Sequence, residues 1–525
     1  MRHHRFVLSA ALVAASVGLV PGTAHAADPV TPAARADDAP AGDTRTEAGQ
    51  GDADFEISLF AAPITAHEVQ VIVQTLDRLR TYEIAYDWGD GTTSKGPSTG
   101  LDATYRNHTY AEVGTYTVTV TVKDTATGAQ AVQSVKTVTD GTEYTPHAPT
   151  RLLDTRAGLG AAKAKIGGRQ SVALKVAGNA AIPSDVVAVA LNVTVTNTVD
   201  AGHVAVQPGR TPREARTSNL NYVAGQSVPN LVIVPVRDGH VQMFNGGWQP
   251  VDLIADVTGY FRASAASGYT SLTPVRAVDT REGLGTPQGQ VPGYGTFDVA
   301  MAGHRGVPKG ATAVALNLTA TNPQESGHLT AYPSGHAVPA TSNVNFSAGQ
   351  TVANAVIVPI GPDGKITVRN GSWKPTDVVI DVAGYYSPDS QAAFVSQEPH
   401  RIFDSRTGSW FRSRGPLKGR DFATVPVFGP SDSLEAVVLN STVTNTAGVG
   451  FLSVAADPNE WEDYETGSAR TPERPVSSAL NWTRGTTVPN LVQAAVGKGQ
   501  ILDFWNQGWE SADLVVDLLG YYDPK

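Results

Sequence analysis

The segment RLLDTRAGLG begins at Arg151, returns as RAVDTREGLG at Arg276 and returns again as RIFDSRTGSW at Arg401, at even intervals. Each opening is followed, in the same order, by LNVTVTN, LNLTATN or LNSTVTN. Next come SNLNYVAGQSVPNLVIVPV, SNVNFSAGQTVANAVIVPI or SALNWTRGTTVPNLVQAAV. The closings are GWQPVDLIADVTGYF, SWKPTDVVIDVAGYY and GWESADLVVDLLGYY. Agreement of order and spacing over such lengths means three copies of one unit, which bounds the architecture more tightly than composition can. A unit of about 115 residues is too long for a propeller blade of about 45. The first copy reads as about eight short strands, at 151–155, 170–177, 186–197, 202–208, 218–224, 228–237, 240–245 and 251–261, with Gly, Pro and Asn turns between them. No long helical period interrupts them. The expectation is a jelly-roll-like β-sandwich that closes on its own core, over residues 148–263, 272–388 and 398–525.

Upstream, residues 1–26 have a basic start, the apolar run VLSAALVAASVGLV and the small-residue site Ala24-His25-Ala26, the pattern of a signal peptide. That run is too short to span a membrane, and no later segment offers about eighteen apolar residues in a row. The expected location is therefore secreted, extracellular or loosely cell-wall associated, without membrane insertion. Residues 27–52 are rich in Ala, Pro, Asp and Gly and predict a disordered spacer. From Phe55 the chain alternates, in HEVQVIVQTL, TYEIAYDWGDG and GTYTVTVTVKD, which predicts a small all-β domain over 53–140. The predicted fold class is all-β, with four consecutive β-sandwich domains. There is no cysteine, so each domain must be held by core burial rather than disulfides. A net charge of −10 argues against nucleic acid or an anionic membrane as partner, since both need a basic face. The segments between repeats, such as RASAASGYTSLTP, permit either a compact body or an extended string, and the oligomeric state is open.

Two resemblances follow from these residues. YDWGDGTTSKGPS, followed by YRNHTYAEVGTYTVTVTVKD, resembles a PKD domain, the immunoglobulin-like fold first described in polycystin. The matching positions are Trp88, Gly89, Asp90, Gly91, His108, Tyr110, Gly114 and Tyr116. The resemblance implies an extracellular β-sandwich used as a spacer or in binding proteins, glycans or surfaces, without catalysis of its own. The three long repeats resemble tandem repeats of secreted actinobacterial proteins, marked by the DTR opening and the GYF or GYY closing. That resemblance supplies no catalytic residues.

One constellation recurs in every repeat. Arg151, Asp154, Arg156 and Asp256 have counterparts in Arg276, Asp279, Arg281 and Asp381, and in Arg401, Asp404, Arg406 and Asp517. Paired carboxylates beside arginines could hold a sugar, or act as acid and base across about 5–10 Å. The alternative is structural: the Asp of the last strand meets an arginine of the first, and breaking such a pair costs several kcal/mol. Three copies of a fold need three internal brackets, whereas enzymes seldom carry three equivalent active sites, so the structural reading is preferred.

Weaker patterns add no chemistry. Asn192, Asn317 and Asn440, and with them Asn230, Asn354 and Asn490, are read as amides closing turns and loops. GPSTG at 96–100 lacks the strand and helix that a nucleophile elbow needs. HEVQV lacks a second His, and His203 and His328 meet Phe451 in the third repeat, so no metal or cofactor is expected. Asp87 and Asp90 flank a turn that does not have calcium-loop spacing.

The third repeat departs most from the others, through extra residues within DPNEWEDYETGSARTPERP. Trp248, Trp373 and Trp509 are equivalent, as are Tyr222, Phe346 and Trp482, and both sets are expected in the core. Trp410, Trp461 and Trp505 have no aromatic equivalents. Trp461, Tyr464, Glu462, Trp410 and Trp505 are therefore the ligand candidates, with rings to stack on a sugar and a carboxylate to accept from its hydroxyls. Otherwise the inserted loop folds back and plugs its own sandwich. The functional expectation is a non-enzymatic binding or adhesion protein whose partner is a polysaccharide or a cell-surface protein. A spacer without a ligand site and a glycan-active hydrolase are the alternatives, the latter requiring an open cleft with one raised carboxyl.

Overall fold

The structure is a computed structural model that describes residues 55–75, 80–100, 102–211, 215–407, 409–410, 413–429 and 434–525, without the side chains of 409–410 and 413–414. The expected leader and spacer lie outside the described residues. Four consecutive β-sandwiches make up the described residues.

In the first sandwich, strands Ile57–Pro63, Glu68–Thr75 and Thr104–Thr109 form one sheet. Thr93–Ser98, Tyr82–Asp87, Thr115–Asp124 and Gln130–Val138 form the other. The alternation in TYTVTVTVKD aims Val118, Val120 and Val122 inward, where they meet Val69, Val71, Ile84 and Trp88. Trp88 is buried, and Tyr110 donates its hydroxyl to the Trp88 carbonyl at 3.0 Å. Gly89 takes a positive φ of 77°, and its N–H is bound by the Asp87 carboxylate, so the acidic turn closes on itself.

Each repeat contains an eight-stranded jelly roll, to which repeat three adds the short pair Ser409–Trp410 and Ser413–Arg414. In repeat one the inner sheet runs Val228–Pro235, Ala188–Thr196, Asp252–Arg262, Glu143–Asp154. The outer sheet runs Leu220–Tyr222, Gly202–Pro208, His240–Asn245, Ser171–Lys175. Counted along the chain these are orders 6-3-8-1 and 5-4-7-2, all neighbours antiparallel. Repeats two and three repeat the pattern. The first strand of repeat one begins at Glu143, upstream of the DTR motif.

The inner sheets are buried on both faces. Leu191, Val193, Val232 and Val234 point into their own sandwich. Ala188, Ala190, Leu231 and Ile233 point the other way, into a core shared by all three repeats with Ala313, Ala315, Ile357, Ala436, Val438 and Leu491. Tyr144, Phe261, Tyr269, Tyr386, Phe394 and Tyr522 fill the remainder of that core. AVALNVTVT is buried at every position, although Asn192, Thr194 and Thr196 are polar; alanine at 188 and 190 lets the three sheets approach.

The asparagines serve this assembly as well as their own repeats. Asn192 donates to the Ser342 carbonyl at 2.6 Å, Asn317 to Ser478 at 2.5 Å and Asn440 to Ser218 at 2.7 Å. Asn354, Asn490 and Asn230 in turn donate to the side-chain oxygens of Asn192, Asn317 and Asn440. Repeat one thus bonds to two, two to three and three to one, a closed cycle around a pseudo-threefold axis. Within each repeat Asn230, Asn354 and Asn490 also donate to the carbonyls of Asn219, Asn343 and Ala479, as loop-closing amides would; the bonds between repeats go beyond that expectation. The main-chain polar groups where two apolar sheets meet have no water to bond, and side chains of the neighbouring repeat supply the partners.

Candidate functional site

The recurrent arginines and aspartates form closed brackets. Arg151 donates Nε to Asp256 at 2.8 Å and Nη1 to Asp154 at 3.3 Å, while Arg156 grips Asp154 at 2.9 and 2.7 Å. Arg276 and Arg281 hold Asp381 and Asp279, and Arg401 and Arg406 hold Asp517 and Asp404, in the same way. Asp154 and Asp256 are buried. Hydrogen bonds from Arg156, Arg281 and Arg406 hold Asp154, Asp279 and Asp404 below the usual carboxylate range. Burial pushes Asp256 and Asp517 up, against the pull of Arg151 and Arg401. In each bracket both carboxylates are engaged by arginine, and Asp381 of repeat two also lines a cavity with Asn317 and Ala355. Among the described residues no cluster of three or more His, Cys, Asp or Glu could hold a metal ion.

The inserted segment of repeat three folds back. Trp461–Thr466 is a short helix closed at its start by a reciprocal Glu460–Asp463 capping box. Tyr464 donates its hydroxyl to Asp457, and Asn459 donates to Asp457 at 2.8 Å and to the Arg470 carbonyl at 2.9 Å. Trp461 and Tyr464 are half-buried, and only Glu462 of this group is exposed. Trp505 is 4% exposed, stacked on Phe422 at 4.5 Å with Arg474 over its ring, and has no face for a ligand. The side chain of Trp410 lies outside the described residues. The candidates chosen from the sequence are thus not brought together on an open surface. The raised carboxyl beside them, Asp503, is pushed up to about 8 by burial and by Asp457, and both acids are enclosed.

The most exposed aromatics among the described residues are three placed in the core by the sequence reading. Trp248, Trp373 and Trp509 are 78%, 75% and 80% exposed. Their positions are built by a buried asparagine three residues earlier. Asn245 Nδ2 donates to the carbonyls of Ile166, Gly167 and Gln249 at 2.9 to 3.1 Å, and its oxygen accepts from the Gly247 N–H and the Tyr222 hydroxyl. Asn370 and Asn506 have the same role. A second loop backs each tryptophan so closely that a Cβ on Gly168, Gly293 or Gly419 would lie 2.1 to 2.2 Å from the tryptophan carbonyl oxygen. Residues 245–248, 370–373 and 506–509 therefore present an indole to solvent from a fixed turn. An N-x-x-W motif in all three closings was the available signal. Recurrence was taken as a mark of the core, but a recurrent residue can equally be a recurrent site.

Beside each indole stands a cation or a second ring. Arg169 lies 5.7 Å from the Trp248 ring, and Arg420 lies 5.1 Å from Trp509. Tyr294 meets Trp373 edge-on at 4.8 Å. His203 and His328 lie under Gly246 and Gly371, and burial, with Arg169 and Arg369 second, lowers both imidazoles.

Comparison with known proteins bears on the first sandwich. Residues 56–137 match the PKD domain. The match takes in the strands from Ile57 onward, which the sequence motif covered less clearly. No curated protein matches the chain. Among solved structures the chain is similar to one described as "Structural basis for the promiscuous specificity of the carbohydrate-binding modules from the beta-sandwich super family". The identity is 15% over 42% of this chain and 97% of that chain, with a TM-score of 0.15, and no functional argument is built on it.

Proposed function

We propose that the chain is a secreted, non-enzymatic multidomain binding protein that recognises extracellular or cell-wall polysaccharide through the triple repeat, with the PKD domain attached as an adhesion-type module. The observation that carries this reading is the set of Trp248, Trp373 and Trp509, one per repeat and each three-quarters exposed or more. An exposed indole costs solubility unless it covers something, and a flat ring face suits the CH face of a sugar. One indole offers at most about 150–250 Å², against about 800 Å² per partner in a stable protein interface, which favours a sugar over a protein surface. Three weak sites fixed in one body suit a polymer that repeats its own unit. The spacer reading accounts for the packed Trp505 but leaves the three exposed rings without a purpose.

The test is retention of the purified chain on insoluble polysaccharides and cell walls, beside a Trp248→Ala/Trp373→Ala/Trp509→Ala variant. Single variants should weaken retention modestly, and the triple variant should lose it by about 10²-fold or more. Equal retention of the triple variant would move the site elsewhere.

A further inference from the structure

Each exposed indole belongs to a set of two rings and an arginine, and the repeats assemble that set differently. In repeat one Arg169 lies over Phe244 at 5.1 Å as well as over Trp248. In repeat two the position of Arg169 holds Tyr294, and the position of Phe244 holds Arg369, whose guanidinium lies 5.5 Å over the Tyr294 ring. Arginine and aromatic have exchanged places between the turn and the strand, yet the site again holds two rings and one guanidinium. Repeat three has Arg420 over Trp509 and Trp505 in the position of Phe244. There Glu510 follows the indole, and the inserted segment adds a second guanidinium: Arg474 lies 5.3 Å over Trp505 and donates to the Arg420 carbonyl at 2.7 Å.

Arg169 and Arg420 also hold the turn, each donating Nη1 to one of its carbonyls, Gly246 at 3.1 Å and Gln507 at 3.0 Å, but that bond does not explain the cation of repeat two. Arg169, Tyr294 and Arg420 share one left-handed backbone position, with φ of 58°, 56° and 62°, and a tyrosine there braces its indole without a charge. Yet that repeat regains its cation from the opposite strand, and the repeat with a neighbouring carboxylate carries two. The chain is acidic overall, so a positive charge at all three indoles runs against its average.

Building on the polysaccharide reading above, we infer that each of the three sites recognises an acidic sugar, with the pyranose CH face on Trp248, Trp373 or Trp509 and the carboxylate or phosphate on Arg169, Arg369 or Arg420. A guanidinium matches either anion with paired N–H donors and keeps its charge at every accessible pH. One exposed ion pair is weak, but three on one polymer multiply.

The experiment measures retention on polygalacturonate, on the same polymer fully methyl-esterified, and on a phosphomannan with its dephosphorylated form. Each pair keeps the sugar backbone and removes the anion. The expected result is retention on an acidic member and loss on its neutral partner, with the carboxylated and phosphorylated probes separating the two anions. Retention should fall steeply as ionic strength rises, a measurement that needs no variant. Arg169→Gln, Arg369→Gln and Arg420→Gln should each weaken retention about two- to fivefold, and together more than tenfold. Equal retention on acidic and neutral members, indifferent to salt, would overturn the acidic-sugar assignment and leave polysaccharide binding intact. Retention on none of these, nor on any neutral polysaccharide or cell wall, would overturn both.

Discussion

Asp503→Asn should change how the stability of the chain depends on pH. Asp503 lies in strand Ile501–Asn506 between the core residues Leu502 and Phe504, so it points to the opposite face, where it is fully buried beside the inserted segment. One oxygen accepts from the Thr424 hydroxyl at 3.0 Å. The carboxyl also faces Asp457, whose oxygens accept from the Asn459 N–H and the Tyr464 hydroxyl. The equivalent positions in the other repeats hold neutral Gln242 and Thr367, so this acid is particular to repeat three. Burial and Asp457 push it up to about 8, against about 3.9 in an unfolded chain. Between those limits the folded chain holds a proton that the unfolded chain has released. Stability therefore falls as pH rises through that window, by up to about 1.4 kcal/mol per pH unit, and levels off above about 8. Asparagine keeps the shape and carries no such proton, so the variant loses this slope. Urea unfolding of wild type and variant from about pH 5 to about pH 8 cancels every other titrating group in the difference. That difference should shift in favour of the variant by about 1 kcal/mol per pH unit. Parallel curves would refute a shared, raised proton at this pair.

Two further substitutions test the frame. Asn192→Ala removes a donor to the Ser342 carbonyl and an acceptor for Asn354 in one step, and should cost about 2–3 kcal/mol of stability, measured by chemical denaturation. Arg151→Met leaves Asp256 and Asp154 buried without their shared partner and should cost about 3–5 kcal/mol, whereas Arg262→Met, which breaks the exposed pair with Asp185, should cost less than about 1 kcal/mol.

The period-two patterns made the strands legible. HVQMFN and VPNLVIVP bounded by Gly, Asp and Pro could be little else, and their order along the chain implies a sandwich. The Arg–Asp brackets were legible because opposite charges recur at the two ends of each repeat. The closed ring of repeats is less legible, although AVAL at 188–191 and VPNLVIVPV have apolar residues at both odd and even positions, which a sheet with one wet face avoids. The exposed tryptophans differ from the expectation because recurrence across the repeats does not imply burial. Each Trp follows Asn-Gly-Gly, Asn-Gly-Ser or Asn-Gln-Gly, a turn signature, and a turn tip is where a large ring can stay wet.

The shared core explains why the repeat comes in threes. One jelly roll would leave Ala188, Ala190, Leu231 and Ile233 facing water, together with its half of each asparagine pair. Two would cover part of that face; three close the cycle and leave no apolar edge. The same closure fixes the tryptophan turns relative to one another, because each turn is bonded to its own sandwich and the sandwiches are bonded in a ring. A flexible string of the same modules would have to order its linkers at every engagement, and that cost is removed when the sites are already in place. If the interface asparagines are weakened, polysaccharide retention should therefore decline further than the loss of folded protein accounts for, although none of them lies at a tryptophan.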